Sequence, residues 1–130
     1  MALLADAANV SREGKLNVLG VFDTIYTRSF PVAHPNMQLV LRFDAEPAEA
    51  GAARRVEVQL LAPDGSALAR LPVTMTLPQP EMGERVRVDH ILTFTNTVFE
   101  RAGRYALRVV LDDGTETAVP LRVEQVPVAH

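Results

Sequence analysis

The stretch AGRYALRVVLDDGTETAVPLRVEQV, residues 102–126, carries the strongest fold signal in the chain. On both sides of Asp112-Asp113-Gly114, apolar residues alternate with polar ones: Tyr105, Leu107, Val109 and Leu111 come before it, and Val119, Leu121 and Val123 come after it. A two-residue period places the apolar side chains on one face of a strand. An Asp-Gly pair between two such strands favours a tight turn. The stretch therefore predicts an antiparallel hairpin with one buried face and one exposed face.

The same period recurs through most of the chain, and no long window shows a helical stripe. It is clearest in 37–43, 56–60 and 71–77. Pro63-Asp64-Gly65 is typical of a turn, and residues 45–53 and Gln79 to Glu84 have the composition of open loops, the first with room for a short helical turn. Short strands without intervening helices predict an all-β fold. We expect a single-domain antiparallel β-sandwich of seven to nine strands over residues 1–130.

The composition narrows the classes of protein that the chain fits. It has 130 residues, no cysteine and a formal net charge of −3, with two Tyr, five Phe and no Trp. Disulfides and thiolate sites are thereby excluded, and few aromatics without a basic face weigh against nucleic-acid binding. The N-terminal MALLADAANV has no basic region and its apolar run breaks at Asp6, so we predict neither a secretion signal nor a membrane span. The absence of cysteine favours a cytoplasmic location.

The closing hairpin also resembles the last hairpin of immunoglobulin-like and fibronectin-like domains. Such domains often have a small residue and a tyrosine at the entry to the penultimate strand, as Gly103 and Tyr105 stand here. The resemblance covers about a fifth of the chain and implies an immunoglobulin-like plan for the sandwich. It implies no activity, because one fold hosts many functions.

The first 45 residues contain a more specific series of short motifs. These are Ala5-Asp6, Ala8-Asn9-Val10, Gly14-Lys15-Leu16-Asn17, Gly20-Val21-Phe22-Asp23, Phe30-Pro31 and His34-Pro35. The series resembles the opening of a family of small bacterial all-β proteins of unassigned function. That resemblance implies a single β domain and brings no activity, cofactor or partner with it.

Four polar side chains interrupt the largely apolar sequence of residues 5–23 and form the first candidate site: Asp6, Asn9, Asn17 and Asp23. If strands 3–10 and 16–23 pair through a turn at Ser11–Lys15, Asn9 and Asn17 lie almost opposite each other, with Asp6 and Asp23 farther along. Oxygen ligands of this kind suit a hard cation such as calcium, but that site needs about six oxygens. We favour the other interpretation, in which these side chains bond backbone groups at strand ends and turns.

Two histidines are candidate metal ligands. His34 precedes a proline in a loop. His90 continues the alternation of Val86 and Val88, so it faces the core unless a β-bulge near Asp89 turns it away. A zinc site wants three or four nitrogen or sulfur ligands, and two imidazoles without a thiolate fall short. We predict a structural role for His90, with no metal and no cofactor. We group His34 with Asp6, Asn9, Asn17 and Asp23 as an interaction or structural corner.

Catalytic patterns are weak throughout. The carboxylate pairs Asp112-Asp113 and Asp44/Glu46 could be compared with a glycosidase pair, but turn chemistry explains the aspartates of a hairpin turn. No Gly-x-Ser-x-Gly elbow and no phosphate-binding glycine loop occurs. The sequence therefore predicts that the protein is not an enzyme.

Two classes of function remain from the sequence. The favoured one is a non-catalytic binding or structural module in a bacterial cytoplasm, with an unidentified protein partner and with open sheet edges that predict a homodimer. It binds neither nucleic acid nor membrane in this interpretation. The alternative is a small metal- or ligand-dependent enzyme that uses the corner formed by Asp6, Asn9 and Asp23, or His90.

Overall fold

The computed structural model describes residues 1–79 and 86–127, which form nine strands in two sheets packed face to face. The strands are β1 (Ala2–Val10), β2 (Leu16–Phe22), β3 (Thr24–Thr27), β4 (Val32–Ala45), β5 (Ala53–Leu61), β6 (Ala67–Thr76), β7 (Val86–Phe99), β8 (Gly103–Leu111) and β9 (Glu116–Gln125). A 3-10 turn at Pro47–Glu49 lies in the predicted loop 45–53. Apart from Gln79, the loop predicted at 79–84 lies outside the described residues. The described chain contains no helix with the length and hydropathy that a membrane crossing requires.

The two sheets have different strand orders. Sheet A has the order β2-β1-β4-β7 and is antiparallel throughout. Sheet B has the order β3-β9-β8-β5-β6, and its β3–β9 pair is parallel. The predicted β-sandwich is confirmed. Among the described residues, every strand pair is antiparallel as predicted except β3–β9. The chain leaves sheet A at Asp23, whose carbonyl accepts the N–H of Arg122 at 2.8 Å, so β3 joins sheet B beside the last strand.

The core lies between the sheets, where the alternation of the strands buries every second side chain. In β8 and β9 the predicted inward residues Tyr105, Leu107, Val109, Val119, Leu121 and Val123 are all buried. Sheet A contributes Leu4, Met37, Leu39, Leu41, Phe94 and Phe99 from its inner face. Each fully buried side chain of this size stabilises the fold by about 1.5–3 kcal/mol relative to its exposed state.

The β4–β7 ladder is the longest pairing, with thirteen residue pairs from Val32–Phe99 to Ala45–Val86. It is interrupted where Pro35, which has no N–H, meets Asn96, whose φ is 52°. From Val86 to Thr95 the register is regular, so no bulge occurs at Asp89. His90 therefore lies opposite Leu41 and faces the core side, as the alternation predicts.

The predicted turns are present with the expected chemistry. Gly65 and Gly114 both have a φ of 88°, which a glycine adopts without steric penalty. The carboxylate of Asp64 accepts the N–H of Ser66 at 2.9 Å, and that of Asp113 accepts the N–H of Thr115 at 2.8 Å. These side-chain bonds satisfy backbone donors that the strand ladders leave free.

The connection from β7 to β8 is closed by one tyrosine. Tyr105, near the start of β8, donates its hydroxyl to the carbonyl of Arg101 at 2.7 Å. Its ring meets the ring of Phe99 edge-on, with 4.9 Å between the centroids. The hydroxyl thus bonds the backbone of the connection while the ring joins the core.

We expect Tyr105→Phe to lower the free energy of unfolding by about 1 kcal/mol, because the Arg101 carbonyl loses its partner in a partly buried position. Urea denaturation measures the difference. The control is Tyr26→Phe at an exposed position, where we expect a change within about 0.5 kcal/mol. A Tyr105→Phe protein as stable as the wild type would show that the bond contributes nothing.

Candidate interaction surface on the outer face of sheet A

The β1–β2 hairpin has the register that the sequence predicts, with Asn9 opposite Asn17. Its turn is closed by two backbone bonds, from Ser11 N–H to the carbonyl of Lys15 at 2.8 Å and from Gly14 N–H to the carbonyl of Ser11 at 2.9 Å. The hydroxyl of Ser11 also accepts the N–H of Lys15 at 3.1 Å. The backbone and side chain of Ser11 therefore supply the bonds that close the turn.

The two asparagines bond each other across the strands. Asn17 Nδ2 donates to Asn9 Oδ1 at 2.9 Å, and both residues are exposed. Asn17 reaches the backbone through a longer bond of 3.5 Å to the carbonyl of Lys15. The Oδ1 of Asn9 thus accepts from a side chain of the opposite strand. A cross-strand pair of this kind contributes about 0.2–1 kcal/mol.

Most of the hairpin extends beyond the ladder of sheet A. β1 pairs with β4 only from Ala2 to Ala5, opposite Leu41 to Gln38. Farther along, two side chains of β4 replace the ladder: Asn36 Nδ2 donates to the carbonyl of Asp6 at 3.1 Å, and Gln38 Oε1 accepts the N–H of Ala8 at 2.5 Å. We call residues 6–20 the hairpin arm. It is attached to β4 through side chains.

Asp6 and Asp23 do not join the asparagines in one site. The Asp6 side chain lies over Gly20, where an added Cβ would overlap its carboxylate. Asp23 accepts the hydroxyl of Thr24 at 2.9 Å and is six residues beyond Asn17, about 20 Å along an extended chain. No group of three potential His, Cys, Asp or Glu metal ligands forms among the residues described.

The two histidines are also separate. His34 lies in β4 opposite Thr97, so the prediction that it lies in a loop is wrong, and its ring centroid is 5.9 Å from that of Phe22. Its Nε2 is buried and has no hydrogen-bond partner in the described part of the chain. His90 is seven residues farther along the β4–β7 ladder, opposite Leu41, at a distance of about 23 Å. One metal ion cannot bind both imidazoles in this arrangement.

The three aspartates of the two candidate carboxylate pairs take part in ion pairs and turn bonds. Asp112 accepts from Arg54 Nε at 2.9 Å, and this bond lowers the pKa of Asp112. Hydrogen bonds from Thr115 lower the pKa of Asp113, and Asp44 pairs with Arg87 at 3.0 Å. A glycosidase acid needs a raised pKa. The aspartates of this turn are ionised at neutral pH.

A groove of about 490 Å³ crosses β6, β5 and β8 on the outer face of sheet B. Its two carboxylates already have partners, since Glu57 accepts from Gln59 Nε2 at 3.1 Å and Asp112 is bonded to Arg54. The groove therefore brings together no unpaired acid and base.

The outer face of sheet A has an unusual composition for the exposed side of a sandwich. Val21 lies opposite Ala5 in the ladder, and Val40 lies between Leu3 and Ile91. We call this set, together with the neighbouring Leu19, the apolar strip: Leu3, Ala5, Leu19, Val21, Val40 and Ile91. Ala5 and Val40 are fully buried although they are not part of the core cluster, whereas Leu19 and Val21 are 73% and 62% exposed. An outer sheet face is ordinarily polar, so the two apolar side chains that are open to solvent, Leu19 and Val21, make this face a candidate interaction surface.

Polar groups with fixed geometry border the strip. Arg42 binds Asp89 through two bonds, Nε to Oδ1 at 2.7 Å and Nη2 to Oδ2 at 3.2 Å. Gln38 Nε2 donates to Thr93 at 3.3 Å on the other side of Val40. An apolar centre with a polar rim is the usual anatomy of a protein interface.

The sequence contains a signal for this surface that alternation alone does not reveal. Residues 18–22, VLGVF, are apolar at every position, whereas a strand with one wet face alternates. In the structure, Phe22 packs against the core and Val21 faces outward. A continuous apolar run on an edge strand therefore indicates two apolar faces, of which one is open to solvent.

We expect Gly20→Ala to destabilise the protein more than Gly14→Ala. Both glycines have a positive φ, 73° and 80°, which costs an alanine about 1–2 kcal/mol. Only at Gly20 does the new methyl group meet a side chain, the carboxylate of Asp6. Chemical denaturation of both variants, alone and with Asp6→Ala, measures the excess, which should shrink when Asp6 is truncated. Equal losses at the two glycines would show that the Asp6 contact does not matter.

Comparison with known proteins adds the family. No curated protein matches the chain. A family model described as "Family of unknown function (DUF6941)" matches residues 1–124, which confirms the unassigned family expected from the sequence. The chain therefore belongs to this family of unknown function, DUF6941.

Proposed function

We propose that the protein is a non-catalytic binding module of the bacterial cytoplasm that docks an apolar surface of a partner protein onto the apolar strip. The observation that carries this proposal is the exposure of Leu19 and Val21 beside the buried Ala5 and Val40 on the outer face of sheet A. A partner that covers this surface removes apolar area from water, which lowers the free energy of the complex. The absence of cysteine supports the reducing compartment.

The sandwich that presents the strip is immunoglobulin-like in our proposal. Two observations support this plan. The last strand, β9, pairs in parallel with the short β3, and Tyr105 at the start of β8 bonds the carbonyl of Arg101 four residues upstream, as in a tyrosine corner. The plan supplies a rigid frame for a surface but carries no activity of its own.

Among the described residues, the positions of the candidate catalytic groups do not support the enzyme alternative. The corner of Asp6, Asn9 and Asp23 is spread along the hairpin, with Asn9 bonded to Asn17 and Asp23 bonded to Thr24. His90 is half-buried on the core side of an edge strand. Acid–base catalysis requires groups that converge on one reacting atom, and these do not.

The energetics favour a partner that covers the whole strip. Burial of Leu19 and Val21 contributes about 1.5–3 kcal/mol each. Association costs at least about 4 kcal/mol of translational and rotational freedom before any net affinity appears. The two most exposed side chains therefore act as anchors, and Leu3, Ile91 and the polar rim provide the remaining contact area.

We expect the double variant Leu19→Ser/Val21→Thr to lose partner binding while its unfolding free energy changes by about 0.5 kcal/mol or less, because both side chains are already exposed. The matched control is Leu68→Ser/Val98→Thr, which alters two residues that are 51% and 52% exposed and lie outside the strip.

The measurement uses the three immobilised proteins and extract of the native host. Mass spectrometry identifies the proteins that the wild type and the control retain and that the strip variant releases. Identical sets from all three proteins would contradict the proposal.

A further inference from the structure

Three of the four sheet edges are guarded against pairing with another chain. Edge strands are protected by prolines, irregular backbone or short length. β6 has Pro72 in its middle, β2 has Gly20 in a left-handed conformation, and β3 is only four residues long. These three edges offer a second strand little regular backbone to bond.

The part of β9 that β3 leaves uncovered is guarded as well. Arg122 and Val126 donate their N–H groups to Asp23 and Thr27, so the even-numbered residues of β9 face this edge. Pro120 falls in that set and has no N–H to donate. Its position removes a bond that an added strand would need.

The described part of β7 from Val86 to Thr95 has none of these three features, and its charged side chains, Arg87 and Asp89, are both paired with β4. From Val86 to Thr95 it pairs with β4 in unbroken register, with neither proline nor glycine, over ten residues or about 34 Å. Alternate residues of an antiparallel edge strand direct their N–H and C=O groups away from the sheet. Within residues 1–79 and 86–127, no strand other than β4 pairs with β7.

We propose that β7 pairs antiparallel with β7 of a second copy of this chain, about a twofold axis perpendicular to the sheet. A second copy fits because the edge is self-complementary: an antiparallel twofold pairing brings the same donors and acceptors together on both sides. The two four-stranded sheets join into one sheet of eight strands. This pairing uses backbone groups and goes beyond the partner site on the apolar strip.

The charges of the edge support a homotypic pairing. Arg87 pairs with Asp44 at 3.0 Å and Asp89 pairs with Arg42 at 2.7 Å, each across the β4–β7 ladder. The charged side chains of β7 are thus balanced by its own sheet. A second copy can approach without bringing unbalanced like charges together.

The strand geometry restricts the register. Residues that oppose each other must share a face, so one residue of β7 lies opposite its own copy. The twofold axis passes between these two copies, and we call this residue the one on the axis. Maximal overlap of the regular segment 86–95 places that residue at His90 or Ile91. With Ile91 on the axis, Asp89 opposes the hydroxyl of Thr93 and His90 opposes Leu92. With His90 on the axis, Asp89 opposes Ile91 and two half-buried imidazoles meet. We choose the register with Ile91 on the axis, because it places the carboxylate of Asp89 opposite the hydroxyl of Thr93.

The absence of cysteine allows a sharp test of this register. In Ile91→Cys the two sulfurs meet on the axis, because opposed Cα atoms in an antiparallel pair are about 4.5–5.5 Å apart and a disulfide needs about 4.4–6.8 Å. Thr93→Cys is the matched control on the same face, since its two copies are four residues apart along the strands, about 14 Å. Mild oxidation followed by non-reducing electrophoresis measures the linked fraction.

We expect Ile91→Cys to become mostly disulfide-linked and Thr93→Cys to remain at least about tenfold less linked. Light scattering of the unmodified wild type should give twice the monomer mass, a readout that does not depend on any variant folding. A monomer mass at high protein concentration would overturn the proposal. Equal linking of both variants would show random collision and overturn it as well, and linking of His90→Cys in place of Ile91→Cys would overturn the register.

Discussion

The two-residue side-chain period of β4 is the constraint on which the rest of the structure depends. β4 lies between β1 and β7, and its inward residues Met37, Leu39 and Leu41 are all at the centre of the core. A slip of one residue would exchange these with Gln38, Val40 and Arg42. The core, the Arg42–Asp89 pair and the apolar strip on the opposite face therefore exist only in this one register.

The sequence predicts those parts of the fold in which local pattern and final contact coincide. The β8–β9 hairpin, the β1–β2 register and the core-facing position of His90 follow from alternation and turn chemistry, and the structure confirms each. The parallel β3–β9 pair does not follow, because Thr24–Thr27 is too short to show a period and its partner is about 100 residues away. Strand order depends on such distant contacts, which a local pattern does not contain.

The candidate site was harder to predict than the fold. Asp6, Asn9, Asn17 and Asp23 stand out because they are polar in an apolar stretch. The bonds that the structure shows for them lie along the hairpin and where the chain passes from sheet A to sheet B. The surface that we propose for a partner consists of apolar residues that belong to four different strands, such as Leu3, Val40 and Ile91. In a sequence, such apolar residues cannot be told apart from residues of the core. The structure separates the two groups because it shows which residues face the core and which lie on the outer face of sheet A.

The side-chain attachment of the hairpin arm has a further consequence for the strip. Within the arm, β1 and β2 pair from Ala7–Leu19 to Val10–Leu16. Among the bonds of the described residues, those of the Asn36 and Gln38 side chains hold the arm to β4. A local opening that breaks two side-chain bonds costs far less than one that breaks a strand ladder. We therefore expect the arm to open at Ala5 and Val21 more readily than any strand leaves the sandwich. Leu19 belongs to the arm, whereas the other five residues of the strip belong to the frame, so the proposed docking surface has one adjustable anchor, Leu19, beside a fixed one, Val21.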